Sequence, residues 1–227
     1  MRLTHPLLSQ PLHWKPERVP VLVVESPELF RTLVFSLAAQ AQGQAGEFVL
    51  SLNYDTLDCG DYLHLVTDYY ALPLDHRKMQ NRFQSLLQWT VREQLTSATD
   101  DLQQHISRYL QQITAAIQYP LSFAEGEYVL PLLKALKCQP ILDAEDSLER
   151  LMQYLELYSG LLPHQCFVLV NAHCYFSPQE LGQLYKMAAY QKWNLLMLEQ
   201  RLQNTLPGEE ICLLDADLCE LRLDSCT

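Results

Sequence analysis

One stretch of the chain leaves little choice of fold. Residues 166–199 read CFVLVNAHCYFSPQELGQLYKMAAYQKWNLLMLE. Residues 166–170 form an apolar run of strand length, which predicts a buried strand over 167–171. Ser177-Pro178-Gln179-Glu180 is a capping box with proline at the first helical position. Leu181, Leu184, Tyr185 and Ala188 recur at helical spacing, and 194–199 is a second apolar run. Strand, helix and strand at this spacing predict a β-α-β unit, whose strands are parallel and adjacent or nearly so.

The segment 19–25 carries the same signal near the amino end. It is a valine-rich run followed by Ser26-Pro27-Glu28, in which Ser26 is a cap, Pro27 the first helical residue and Glu28 a complement to the helix dipole. That helix is expected to end at Gly43. Further strands are expected within 3–14, at 48–52, 62–67, 211–214 and 218–223. Two amphipathic helices are read between them, one through Met79, Phe83, Leu86, Leu87, Val91 and Leu95, the other through Leu102, Ile106, Tyr109, Leu110, Ile113 and Ile117. Residues 97–101 are read as the cap region between the two. Short helices near 128–137 and 146–158 complete a helical block. The expected fold class is therefore α/β. A mainly parallel-sheet head is built from 1–68 and 160–227, and a helical domain, 69–159, is inserted into it.

Composition narrows the function. The chain of 227 residues has 27 acidic and 16 basic side chains, for a net charge of −11. Phosphate neutralisation by cations supplies most non-specific nucleic-acid affinity, so DNA binding requires these few cations to converge on one surface, most simply by oligomerisation. The first residues lack a basic region followed by an apolar run, and no apolar run approaches the ~20 residues that span a bilayer. A cytoplasmic protein without membrane contact is expected. Seven cysteines at 59, 138, 166, 174, 212, 219 and 226 include no C-x-x-C pair, which fits reduced, mostly buried thiols.

A parallel sheet raises the question of a nucleotide. The first strand-to-helix turn, Val24-Glu25-Ser26-Pro27-Glu28, has no glycine to let phosphate approach, no lysine, and two carboxylates that repel a triphosphate. The turn at 171–178 also lacks glycine, so no nucleotide is expected. His164, Cys166, His173 and Cys174 resemble a zinc set, but six residues of strand hold the two pairs roughly 20 Å apart. They are read as core cysteines and loop histidines. Glu125 with Glu127, the group Asp143, Glu145 and Asp146, and Asp215 with Asp217 are candidates for a hard cation, with helix capping the reading for Asp143 and Asp146. Basic residues cluster at Arg77, Lys78 and Arg82 and again at Lys134 and Lys137.

Four stretches together resemble the type II-A CRISPR-associated spacer-acquisition family. They are HPLLSQPLHW at 5–14, VPVLVVESPELFRTLV at 19–34, the segment 130–136, and above all LPHQCFVLVNAHCYFSPQELGQLYKMAAYQKWNLLMLEQRL at 162–202. They span about a third of the chain, in the family's order and spacing. The resemblance implies a nucleotide-hydrolase-like head without a functional phosphate loop, and a helical leg. It implies a homotetrameric ring around double-stranded DNA, bound calcium and no catalytic activity. The implied setting is CRISPR adaptation, beside the spacer integrase complex and the RNA-guided effector nuclease. On this reading Arg77, Lys78, Arg82, Lys134 and Lys137 face DNA, and Glu125 and Glu127 contribute to the calcium site. The chain departs from its relatives in two respects. The acidic run before the leg helix is reduced to Glu125 and Glu127, with Pro131 inside the helix, and lysine is sparse, which shifts phosphate contacts toward arginine. The alternatives from other classes are a degenerate NTPase-like enzyme and an interaction scaffold without DNA binding.

Overall fold

The computed structural model describes residues 1–123 and 126–224. Glu125 and Cys226 lie outside the described residues. The contacts divide the chain into two compact units, Met1–Leu72 with Leu142–Thr227, and Pro73–Ile141.

The first unit opens with two short strands, β1 (Arg2–Thr4) and β2 (Leu12–His13), and then β3 (Val19–Val24), all six of whose residues are buried. Helix α1 (Pro27–Ala41) begins where the sequence signals it, with the Ser26 side chain accepting from the Leu29 N–H. It ends before Gly43, which takes the left-handed conformation (φ 83°) that glycine adopts without steric cost. β4 (Val49–Leu52) follows. Between the strand regions expected at 48–52 and 62–67 the chain holds β5 (Asp55–Leu57) and a single turn, α2 (Cys59–Tyr62), capped by Asp58 through the Gly60 N–H. β6 (Leu63–Val66) completes this half.

The second unit is helical: α3 (Arg77–Trp89), a π-helical turn at Thr90–Gln94, α4 (Thr96–Ala116) and α5 (Val129–Ala135). The break between the two long helices falls at Thr90–Gln94 and Leu95 rather than at 97–101, where the helix is already continuous. The chain then returns to the first unit with α6 (Ser147–Leu161), β7 (Cys166–Val170), α7 (Pro178–Gln191), β8 (Asn194–Glu199), β9 (Glu209–Leu214) and β10 (Glu220–Asp224). Helix α6 belongs with the sheet, whereas the sequence reading grouped it with the helices before it.

The main sheet has the order β10-β9-β3-β8-β7-β6. All neighbours are parallel except β10, which runs antiparallel to β9 at the edge. β7 and β8 are adjacent and parallel, as the capped β-α-β pattern predicts. A small antiparallel sheet, β2-β1-β4-β5, lies in the same unit. Alternation assigns the two faces of the large sheet. Leu22, Val24, Val168, Leu196, Leu198 and Leu214 form one core with Phe30, Leu33 and Leu37 of α1 and with Leu3, Leu12 and Leu50 of the small sheet. The opposite face presents Val21, Val23, Phe167, Met197 and Ile211, all buried. The His64 ring there stacks on Phe167 and meets Tyr158 of α6 edge-on.

Candidate functional site

Two places gather chemistry: a buried ion cluster on the sheet, and the exposed cations of the helical unit.

Register creates the first. Glu199 ends β8 opposite Val23 of β3, and Glu209 begins β9 opposite Val19. Both positions share the parity of Val21, so both carboxylates rise from the same face, on either side of β3. Asn171, in the left-handed region (φ 53°), turns the chain out of β7 into a short 3-10 turn, Ala172–Cys174, which delivers His173 between them. Its Nδ1 lies 2.9 Å from Glu199 Oε1 and its Nε2 2.9 Å from Glu209 Oε1, with the imidazole side chain only 7 % exposed. Glu209 also accepts from the Tyr185 hydroxyl at 2.7 Å and from the Leu206 N–H at 2.8 Å. Burial alone would lower the imidazole pKa, but the hydrogen bonds and charges of Glu199 and Glu209 outweigh it and raise the value to about 9. Both ring nitrogens are therefore donors at neutral pH. The adjoining cavity is about 10 Å³, at most room for one water and none for a substrate. The cluster is an electrostatic clasp that ties β8, β9 and the turn after β7 together.

This corrects the reading of His173 as a loop histidine. Of the residues grouped with it, Cys166 is fully buried, Cys174 is exposed, and His164 is exposed with φ 61°. Sequence reasoning missed Glu199 and Glu209, although each is a carboxylate at the margin of an apolar strand run, which is itself a signal of a buried partner.

The clasp sets a pH dependence. The folded-state pKa lies above the ordinary 6.5, so its contribution is full below about pH 6.5 and is lost as pH rises through about 9. A shift of this size corresponds to roughly 3 kcal/mol. Thermal melts should therefore show stability falling across pH 6.5–9. A flat profile over that range would show that His173 is not held as the cation.

The second place is built on α3 and α5. Arg77 and Lys78 occupy the first turn of α3, with Arg82 one turn further on, and all three are exposed. No acidic residue stands in that turn. Cations at a helix amino end oppose the helix dipole. Lys134 lies in the last turn of α5. Lys137 follows in the left-handed region (φ 53°), where the Cys138 N–H closes the helix end on the Leu133 carbonyl. The Gln84 amide donates to the Cys138 carbonyl at 3.4 Å, so the Lys137 end of α5 is tied to the α3 turn that follows Arg82. The structure also shows a polar furrow along α4 that the sequence reading did not single out, lined by Asp100, Gln103, Gln104, Ser107, Arg108 and Gln111.

Charge divides sharply between the units. Residues 73–141 carry seven basic and six acidic side chains, which leaves nine basic and 21 acidic for the rest. The helical unit is thus +1 and the sheet unit −12.

Four of the described carboxylates read as cation candidates have partners within the chain. Glu127 pairs with Arg92 at 3.3 Å, Asp143 accepts from Gln153 at 2.8 Å, and Asp146 caps α6. Asp215 accepts from the N–H groups of Asp217 and Cys219. Among the described residues, no three His, Cys, Asp or Glu side chains converge to hold a metal. Among the described residues, no helix is long and apolar enough to cross a membrane.

Residues 40–218 match the family model described as CRISPR-associated protein (Cas_Csn2), well over half of the chain. No curated protein matches it.

Proposed function

The chain belongs to the Cas_Csn2 family of CRISPR-associated proteins, and on that premise we propose that it is a non-catalytic protein that holds the ends of double-stranded DNA while new spacers are acquired. The observation that carries this reading is the separation of charge. An acidic protein binds phosphate only where its cations are collected, and the helical unit escapes the −12 of the sheet unit. Arg77 and Lys78 stand there in the first turn of α3 with Arg82 one turn further on, and Lys134 and Lys137 lie on the helix end tied to α3.

The same unit supports the homotetramer of this reading. Helix α4 is 21 residues long and buries none of them. Leu86, Trp89, Leu95, Leu102 and Tyr109 are all exposed, an apolar surface that contact with further copies would cover. Four copies bring the cations around one duplex. The reading includes no nucleotide: Ser26 is committed to capping α1, and the glycine-free turn around it carries Glu25 and Glu28. It assigns calcium no step. The spacer integrase complex and the RNA-guided effector nuclease are the proposed partners in the cytoplasm.

The test is the solution mass, with and without a short duplex and with and without calcium. A tetramer that retains the duplex is expected, and a monomer at micromolar concentration under all conditions would refute the ring. Replacing Lys134 and Lys137 together by Glu should weaken duplex binding about tenfold or more irrespective of sequence, because phosphate contacts position without specifying. An unchanged mobility shift for that double variant would remove α5 from the interface. The acidic sheet unit favours the competing reading of a scaffold without DNA binding, which predicts no shift even for the unaltered protein.

A further inference from the structure

The main sheet ends at β10, which pairs with β9 on one side only. The Asp215 N–H donates to the Cys219 carbonyl at 3.2 Å, so these two residues face each other as a hydrogen-bonded pair. Alternation along an antiparallel ladder then makes Leu221 and Leu223 bond Leu213 and Ile211, and turns the main-chain groups of Glu220 and Arg222 away from β9. Among the described residues no other strand lies along that edge.

Edge strands are commonly guarded by charged side chains. Here the charges are drawn off the edge. Glu220 and Arg222 pair with each other at 2.7 Å on the sheet face of Cys212 and Leu214. There Glu220 accepts from the Ser9 N–H, and Arg222 donates to the Gln10 carbonyl at 2.6 Å. Arg222 is an exposed residue although its side chain is only 29 % exposed, which leaves its main chain as the open part. The other face of β10 is apolar and uncovered. Leu221 and Leu223 are 49 % and 41 % exposed, beside the buried Leu213 and Ile211. Leu218, 53 % exposed, holds the preceding turn in the left-handed region (φ 64°), where such a hairpin normally places glycine.

We propose that β10 pairs antiparallel with β10 of a second copy of this chain, joining the two main sheets across a two-fold axis. The strand is complementary to itself. Read antiparallel about Leu221, the run Glu220-Leu221-Arg222 meets Arg-Leu-Glu. Glu220 of each copy then lies opposite Arg222 of the other, which engages the outward main-chain groups of both, and the two Leu221 side chains meet. The next register that also engages those groups is centred on Arg222 and sets guanidinium against guanidinium, which like charge disfavours. Because Glu220 and Arg222 are already paired within each strand, their charges select the register. Main-chain hydrogen bonds and the leucines supply the affinity. The contact is isologous, so it closes after two subunits. It lies within the sheet unit and rests neither on the helical unit nor on DNA.

Disulfide trapping tests the pairing directly. In a chain with Cys174, Cys219 and Cys226 replaced by serine, Leu221→Cys should give a 221–221 disulfide under mild oxidation. Non-hydrogen-bonded partners of an antiparallel ladder bring their Cα atoms to about 4.5 Å, within disulfide reach. Tyr190→Cys in the same background, at a site 80 % exposed on α7, should give little. Leu221→Asp sets two carboxylates opposite each other and should weaken self-association about tenfold or more in sedimentation, with the circular dichroism spectrum unchanged. Leu102→Asp with Tyr109→Asp alters the exposed face of α4 and should leave the 221–221 disulfide intact, so failure of the helical contact leaves this one standing. No 221–221 disulfide, an equal yield from Tyr190→Cys, or self-association unchanged by Leu221→Asp would overturn the proposal.

Discussion

Replacing His173 by Leu should cost about 3–5 kcal/mol of stability, the usual penalty for removing one member of a buried ion cluster, and lower the melting temperature by roughly 10 °C in a chain of this size. Leucine is close in volume to histidine, so little of the loss is a cavity effect. The loss arises because Glu199 and Glu209, 2 % and 1 % exposed, stay buried on the sheet face without the partner that both contact at 2.9 Å. The variant with Glu199→Gln and Glu209→Gln added to His173→Leu should therefore recover part of the stability, a coupling that independent sites do not show. A decline of less than 1 kcal/mol for His173→Leu, or further loss in the triple variant, would show that the clasp does not hold the carboxylates as described. The pH profile separates the same alternatives, since the fall in stability between pH 6.5 and 9 should vanish with the imidazole.

The elements that the sequence marks clearly are those fixed by local chemistry. The Ser177 capping box, Pro178 and the inner face of α7 specify their helix without help from elsewhere, and the two flanking apolar runs leave only a parallel pairing. The same holds for Ser26, Pro27 and Gly43 around α1. Departures occur where local signals are weak or distant residues decide. β5 and α2 are three and four residues long within a polar segment, too short for a period to register. The break between α3 and α4 contains neither glycine nor proline. It is a π-helical turn with its stop at Leu95, so the apolar spacing runs through it without a mark. The His173 cluster joins residues 26 and 36 positions apart, and their meeting depends on the register of β8 and β9 against β3. Strand parity is readable from sequence, but the order of strands in the sheet is not. The cations of α3 and α5 are visible as clusters in the sequence. Their setting emerges only when the contacts separate the helical unit from the acidic one, and neither the overall charge of −11 nor a local window reveals that separation.

For DNA the largest effects should come from salt and from topology. If the helical units of four copies surround a duplex, Arg77, Lys78, Arg82, Lys134 and Lys137 occur four times around it. A contact of six to ten phosphates lowers affinity about a thousandfold or more between 50 and 200 mM salt. The −12 of each sheet unit sharpens the contrast, because it repels phosphates everywhere outside the collected cations. Binding should not depend on sequence, since phosphate contacts carry none. It should depend on ends, since a closed ring admits a duplex only by threading. A linear duplex and a covalently closed circle of the same sequence should accordingly differ, with the linear form bound and the circle excluded until it is cut once. Cutting the circle changes neither charge nor sequence, so electrostatics alone predicts no difference between the two forms. Equal affinity for both, with the steep salt dependence intact, would retain the cationic surface on α3 and α5 and eliminate the ring as the way the protein takes hold of DNA.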